Sequence, residues 1–422
     1  FQFMLSTFIR SLRQRVFSDM CQKFLRIHFI ARRCLLFFVC IGLAAFSVAD
    51  DDADDVGSGR AAFAQLGQEL PDANSYRTAS GAPGHAYWQQ RADYDITAAL
   101  DAPARQITAS AVVGYTNNSP DVLTYLWLQL DQNRFRSDSL DQRSRTVAED
   151  QVSYGALREQ QSYADHQYGY EGLLFQDLDG QPMQAVLVDT MARLDLNAPL
   201  LPGEHIEFTI DWRFNVLEEV AVGSRGGFEY FEETNTQLFF LAQWFPRLAA
   251  YTDYAGWQNK AFRGRGEFTL EFGNYKVALT VPDNHIVSAT GVLANPEAVL
   301  SPEQRNRLEA VDSLKSRFIV TPEEALANEK TQPTGEKTWV YKAENVRDFA
   351  WASSAKFIWD AMIHKQPGAQ YASVLAMSFY PNEAEPVWSK YSTQAVVHTL
   401  DVYSRFSFDY PYPTAQSVNT WE

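Results

Sequence analysis

Seven histidines and 52 acidic side chains in 422 residues are enough to build a metal site or an acid–base pair, so spacing decides whether they do. His85, His166, His205, His285, His364 and His398 lie beyond residue 49, and no two of them fall within five positions of each other. A zinc helix needs two imidazoles one turn apart on one face, with a glutamate between them to act as base, as in H-E-x-x-H. A zinc knuckle needs paired cysteines, and neither spacing occurs. No G-x-S-x-G turn is present to expose a serine nucleophile. The stretches "GSRGGF" (223–228) and "RGRGEF" (263–268) are rich in glycine but lack the lysine and hydroxyl of a phosphate-binding loop, and they read as ordinary loops. A histidine standing alone is more often a surface or satisfied core residue than a ligand.

Two further clusters hold softer chemistry. Glu229, Glu232 and Glu233 in "FEYFEE" suit either an acidic mouth that attracts peptide ammonium groups or a solvated turn. Trp244, Phe245, Tyr251, Tyr254 and Trp257 offer rings for a carbohydrate platform or, as aromatic residues more commonly do, for packing at a core or between domains.

The elements that must position these residues are mostly strands. "HIEFTIDWRF" places Ile206, Phe208, Ile210, Trp212 and Phe214 on one face and Glu207, Thr209, Asp211 and Arg213 on the other, the period of a half-buried strand. The same alternation runs through "QITASAVVGY" (Ile107, Ala109, Ala111, Val113, Tyr115), "EFTLEF" (Phe268, Leu270, Phe272) and "YKVALTV" (Tyr275, Val277, Leu279, Val281). Turn signals such as "NNSPD" and "PDN" between such runs predict hairpins, hence a large antiparallel β domain from Tyr87 to about Ala343. Ser301, Pro302 and Gln304 mark a helix start, and Thr321 with Glu324 repeats it. Past residue 365, "ASVLAMSFYP" predicts a strand. "EPVWSKYSTQAVVHTLDVYSRF" then predicts a helix with an apolar stripe through Trp388, Tyr391, Ala395, Val402 and Phe406, and "TAQSV" after "DYPYP" opens another strand. Strand, helix, strand is the opening of an α+β domain.

The amino-terminal end differs in kind. Lys23, Arg26, Arg32 and Arg33 precede the apolar run Cys34–Phe46, and Ser47 and Ala49 supply small side chains ahead of Asp50. Residues 1–49 therefore read as a secretory signal region, the apolar run being short of the ~20 residues a spanning helix needs. All three cysteines (Cys21, Cys34, Cys40) lie in it, so the remainder has no thiol chemistry. Its loss removes seven Lys/Arg and one Asp and leaves a chain more acidic than the net −16 of the whole, a sign that disfavours nucleic acid and anionic lipid as partners. Residues 50–80, opening "DDDADDVGSG", read as a flexible linker.

Five stretches belong together. "YWQQRADYDITAALD", "VVGYTNNSPDVLTYLWLQLDQN", "FEYFEETNTQLFFLAQWFPRLAAYTDYAGWQN", "ENVRDFAWASSAKF" and "FDYPYPTAQSV" occur in this order. Over residues 85–422 the chain resembles bacterial zinc aminopeptidases of the M1 type, the gluzincin family related to aminopeptidase N. The resemblance implies a mainly β fold: a saddle-like antiparallel β domain over residues 81–365, then the opening strand-helix-strand of a thermolysin-like α+β domain over residues 366–422. It implies a peptide substrate and a Zn²⁺ cofactor held by residues beyond the end of this sequence, so that the chain by itself carries no catalytic residue and no metal ligand. It also implies that Gln243, in "LFFLAQWFPR", helps hold the substrate's free ammonium; the alternative is an amide that caps a sheet edge. The expected location is periplasmic or secreted. Two other classes compete: an M1-like β scaffold that binds proteins without catalysis, and a carbohydrate-binding module, which accounts for the rings but not for the α+β tail.

Overall fold

Alternating burial of the kind read from the sequence builds the largest element of the protein, a seven-stranded sheet. The computed structural model describes residues 73–144, 152–264 and 269–420. The signal region, most of the expected linker and Phe268 lie outside them.

The sheet runs, in spatial order, through Val292–Leu293, Glu336–Val346, Gly273–Pro282, Arg91–Asp101, Gln106–Thr116, His205–Asn215 and Glu171–Asp177. Phe208, Ile210, Trp212 and Phe214 point inward and are at most 2 % exposed. Each such side chain contributes roughly 1.5–3 kcal/mol by leaving water. Five of the six pairings are antiparallel, as expected of the β domain, but the turns "NNSPD" and "PDN" do not close the predicted hairpins: each carries the chain from this sheet to a different one. The exception is central: Arg91–Asp101 lies parallel to Gly273–Pro282, with Tyr94 opposite Tyr275. A parallel neighbour cannot come from a hairpin. The intervening chain instead builds one further sheet and the first hairpin of another before it returns.

One of these orders Arg247–Leu248, Leu123–Gln129, Met191–Leu200 and Ala185–Val188; the other orders Ile286–Ala289, Trp351–Ser354, Thr236–Leu241 and Gly226–Phe231. The core between them and the large sheet is aromatic. Tyr94 meets Phe245 edge-on at 5.3 Å and stacks on Tyr275 at 4.8 Å, and Trp244 meets Trp351 edge-on at 5.9 Å.

Both predicted helix starts form capping boxes. Ser301 opens Pro302–Glu309 and Thr321 opens Pro322–Lys330, each side chain accepting from the third helical amide while Gln304 or Glu324 reaches back. "EFTLEF" departs from its reading: Leu270 and Phe272 make isolated bridges to Ala249 and Arg91, and the regular strand begins only at Gly273. A side chain on Gly273 would run into the Ala92 carbonyl, so the strand starts where its neighbour leaves no room for a Cβ.

A fourth sheet orders Arg317–Val320, Ile358–Lys365, Ser373–Tyr380 and Thr414–Val418. Its last two strands are parallel and joined by the helix Val387–Phe406, the strand-helix-strand unit of the sequence reading. Ile358–Lys365 pairs with Ser373–Tyr380, so this sheet draws strands from both sides of residue 365. The helix meets it through hydroxyls: Thr393 donates to Ser378 at 2.7 Å and Ser378 to Ser392 at 2.9 Å. Of its predicted apolar stripe, Trp388 packs on Tyr380 at 5.6 Å, whereas Tyr391 and Phe406 face away at 63 % and 87 % exposure.

Candidate functional site

Gln243 stands in the turn that follows the strand Thr236–Leu241. The hairpin leading to it is held where the Ala242 amide donates to the Arg225 carbonyl at 3.2 Å. Beyond it Trp244 and Phe245 are wholly buried, and Trp244 is fixed at both ends: its indole N–H donates to the Phe349 carbonyl at 2.9 Å, and its own carbonyl accepts from the Trp212 indole at 3.2 Å. Between these anchors Gln243 takes φ +57°, the left-handed region that a residue with a Cβ enters at a cost. Its carbonyl accepts from Gln132 Nε2 at 3.0 Å and the residue is 7 % exposed, yet among the described residues nothing bonds its side-chain amide.

Beneath the turn lies a buried ion cluster that spacing in the sequence did not signal. The Arg247 guanidinium donates to Asp131 at 2.6 and 3.1 Å, and to Asp348 at 2.5 Å. Burial works against the charge of Arg247, but Asp131 and Asp348 together hold it well above its ordinary range. Burial pushes both carboxyls up, and the guanidinium opposes that shift. Three segments far apart in the chain meet here, which fixes the base of the Gln243 turn. The only trace in the sequence is the arginine of "WFPR".

Ala242 also lines a cleft of about 890 Å³. One wall comes from the edge strand Ile286–Ala289 and the bend after it, the other from Tyr410–Val418 at the carboxyl end. Side chains clamp the walls together: Gln416 Nε2 donates to the Ala289 carbonyl at 2.6 Å, Thr414 Oγ1 to the Gly291 carbonyl at 3.1 Å and Tyr412 Oη to the Asn345 carbonyl at 3.0 Å. Gly291 has φ +91° and a Cβ there would press on the Lys342 carbonyl, so the bend requires glycine.

The other candidates go elsewhere. Glu232 and Glu233 are exposed at a hairpin turn, and Glu229 is half-buried, its carboxyl pushed up by burial and by Glu383 while Lys356 opposes. None of the three is on the cleft wall. Lys356 is buried between Glu329 at 2.7 Å and Glu383 at 2.8 Å. Tyr251 and Trp257 pack on each other at 5.0 Å in a small hairpin, and Tyr254 is exposed. Arg77, within the expected linker, lies 5.2 Å from both the Tyr87 and Tyr254 ring centroids and pairs with Asp253 at 2.7 Å, so this part of the segment is tied to the β domain.

Among the described residues no three His, Cys, Asp or Glu side chains come together to hold a metal. The described residues therefore offer no set that fits a zinc ion. His285 is buried, its Nδ1 2.8 Å from Ser353 Oγ, and burial pushes it down to about 4, which keeps the ring neutral. Among the described residues no helix is long and apolar enough to cross a membrane.

No protein-family model matches the chain, and no curated protein matches it. Solved structures do. An M1 zinc metallopeptidase from Deinococcus radiodurans is similar over 80 % of this chain and 57 % of its own, at 12 % identity and a TM-score of 0.44. A mutant of that peptidase bound to a Tyr-Ser-Ala substrate gives the same identity and TM-score. The chain thus spans less than two thirds of the length of the structures it resembles.

Proposed function

We propose that this chain is the amino-terminal portion of an exported zinc metallopeptidase of the M1 aminopeptidase type, which in full removes amino-terminal residues from peptides. The observation that carries this reading is Gln243: a side-chain amide with no bond of its own, on a strained turn fixed from both sides, beside a cleft. Backbone strain over-determined by its surroundings is a mark of functional positions. Two of the stretches that carry the resemblance, "AQWFPRLAAY" and "FDYPYPTAQSV", contribute Ala242 of the turn and the opposite wall of that cleft.

In this reading the Gln243 carboxamide oxygen accepts from the ammonium group of a peptide and fixes its amino terminus. A zinc ion, when bound by residues outside this sequence, supplies an activated water. Export to the periplasm or beyond the cell rests on the pattern of residues 1–49.

The test is made on the full-length protein with alanine anilide as substrate, with zinc measured on the same preparation. Chelator-sensitive hydrolysis with one zinc per chain supports the peptidase. A folded, zinc-free protein without turnover supports the non-catalytic scaffold instead.

A further inference from the structure

The cleft wall carries Arg225, Lys342 and Arg347 against the single carboxylate of Glu344, on a chain with a net charge of −16. Its local sign therefore opposes that of the molecule, which focuses anions toward it. Arg347 is exposed, its guanidinium carbon sits 4.5 Å from the Phe272 ring centroid, and among the described residues no carboxylate makes an ion pair with it, although its charge also holds down the buried Glu271 carboxyl against burial. Stacking on the ring orients the fork while leaving its donors open.

The rest of the wall is mainly apolar, through Phe240, Val346, Trp351, Tyr371 and Val418. The strand Thr414–Val418 is an edge of its sheet. The Leu375 amide donates to the Pro413 carbonyl at 2.9 Å and the Asn419 amide to the Phe379 carbonyl at 2.8 Å, so odd-numbered positions face the paired strand. Backbone groups of Thr414, Gln416 and Val418 consequently face the unpaired side, where the Thr414 carbonyl accepts from the Tyr410 hydroxyl at 3.2 Å. An edge strand beside an apolar hollow recognises an extended chain through main-chain hydrogen bonds and side-chain insertion. A fatty acid would use the hollow and the cations but not the edge.

We infer that the cleft binds the carboxyl-terminal end of a short peptide, with its last side chain apolar and seated in the hollow, its backbone along Thr414–Val418 and its terminal carboxylate on Arg347. This deepens the peptidase reading and rests on it for the identity of the ligand as a peptide; it adds a preference for peptides with a free carboxyl end close behind the residues being processed.

Calorimetric titration of the 422-residue chain with acetyl-Ala-Ala-Phe, with its carboxamide and with decanoate tests it. The free acid should bind at least tenfold more tightly than the amide at low ionic strength. Arg347→Gln should remove that difference without changing the melting temperature, and 0.5 M salt should shrink it. Equal binding of acid and amide overturns the carboxylate assignment while leaving the peptidase reading intact. Decanoate binding as tightly as the peptide acid, with the same dependence on Arg347, overturns the peptide as occupant. Absence of binding by all three at millimolar concentration overturns the site itself, whereas a full-length protein that binds the acid but hydrolyses nothing overturns only the peptidase.

Discussion

A glutamine held in left-handed backbone forgoes about 1–2 kcal/mol that glycine would not lose. Gln243→Gly should therefore leave thermal stability equal or slightly raised while depriving the full-length enzyme of one charge-assisted hydrogen bond. That loss is about 1.5–3 kcal/mol, or one to two decades in kcat/KM, at unchanged zinc content. Wild-type kinetics in the glycine variant would mean that the amide is scaffold. Asp360 is a different case: it is 2 % exposed, Tyr380 donates to it at 2.6 Å, and its other oxygen has no partner. Burial first, and then the nearby Glu385, push its carboxyl up to about 6, against the neighbouring Thr393 hydroxyl and the hydrogen bond from Tyr380. The folded carboxyl thus holds its proton where the unfolded one has released it, so its contribution is fully present below about pH 4 and is lost as pH rises through about 6. Glu271, pushed up to about 7 by burial, carries the same sign. Asp360→Asn should flatten the fall in urea midpoint between about pH 4 and 7, with a gain of about 1–3 kcal/mol at pH 8 that vanishes near pH 4. A wild-type midpoint that rises over that interval would contradict it.

Local chemistry at the scale of elements was legible wherever the deciding atoms sit close together in the chain. The capping boxes at Ser301 and Thr321 are one-turn motifs, and Thr321→Ala should cost about 1 kcal/mol in chemical denaturation. The strand faces of Phe208–Phe214 followed from alternation alone, because a period of two fixes which side is apolar. The helix Val387–Phe406 shows where such reading ends. Its period was right, but a stripe says which residues are apolar and not what lies against them. The sheet-facing side joins Trp388 of the stripe to Ser392, Thr393 and Leu400, and Ser378 bonds both hydroxyls in a way no spacing rule encodes. Since Tyr391 and Phe406 make little packing in this chain, Tyr391→Ser and Phe406→Ser should each change its stability by less than about 0.5 kcal/mol. A loss of several kcal/mol would place them in a core. The cleft was illegible for a related reason: its walls come from residues near 242, 290, 346 and 414, and only the assembled sheets bring them together.

At the scale of the whole molecule, the 422-residue chain should not hydrolyse amino-acid anilides with added Zn²⁺, since among the described residues no ligand set exists. Turnover that copurifies with the chain and disappears with chelator would reveal a missed site. Exported protein should begin near Asp50 on amino-terminal sequencing, whereas residues 34–49 retained in a membrane fraction would indicate an anchor. The parallel pairing of Arg91–Asp101 with Gly273–Pro282 bears on how such a chain reaches its native state. Its first strand can close a hairpin with Gln106–Thr116 as soon as both have emerged, but its other edge has no partner until Gly273–Pro282 arrives. For a chain threaded amino end first, that interval leaves an apolar strand edge open while the sheet of Leu123–Gln129, Ala185–Val188, Met191–Leu200 and Arg247–Leu248 takes shape, so completion of the large sheet waits on a contact of long sequence separation.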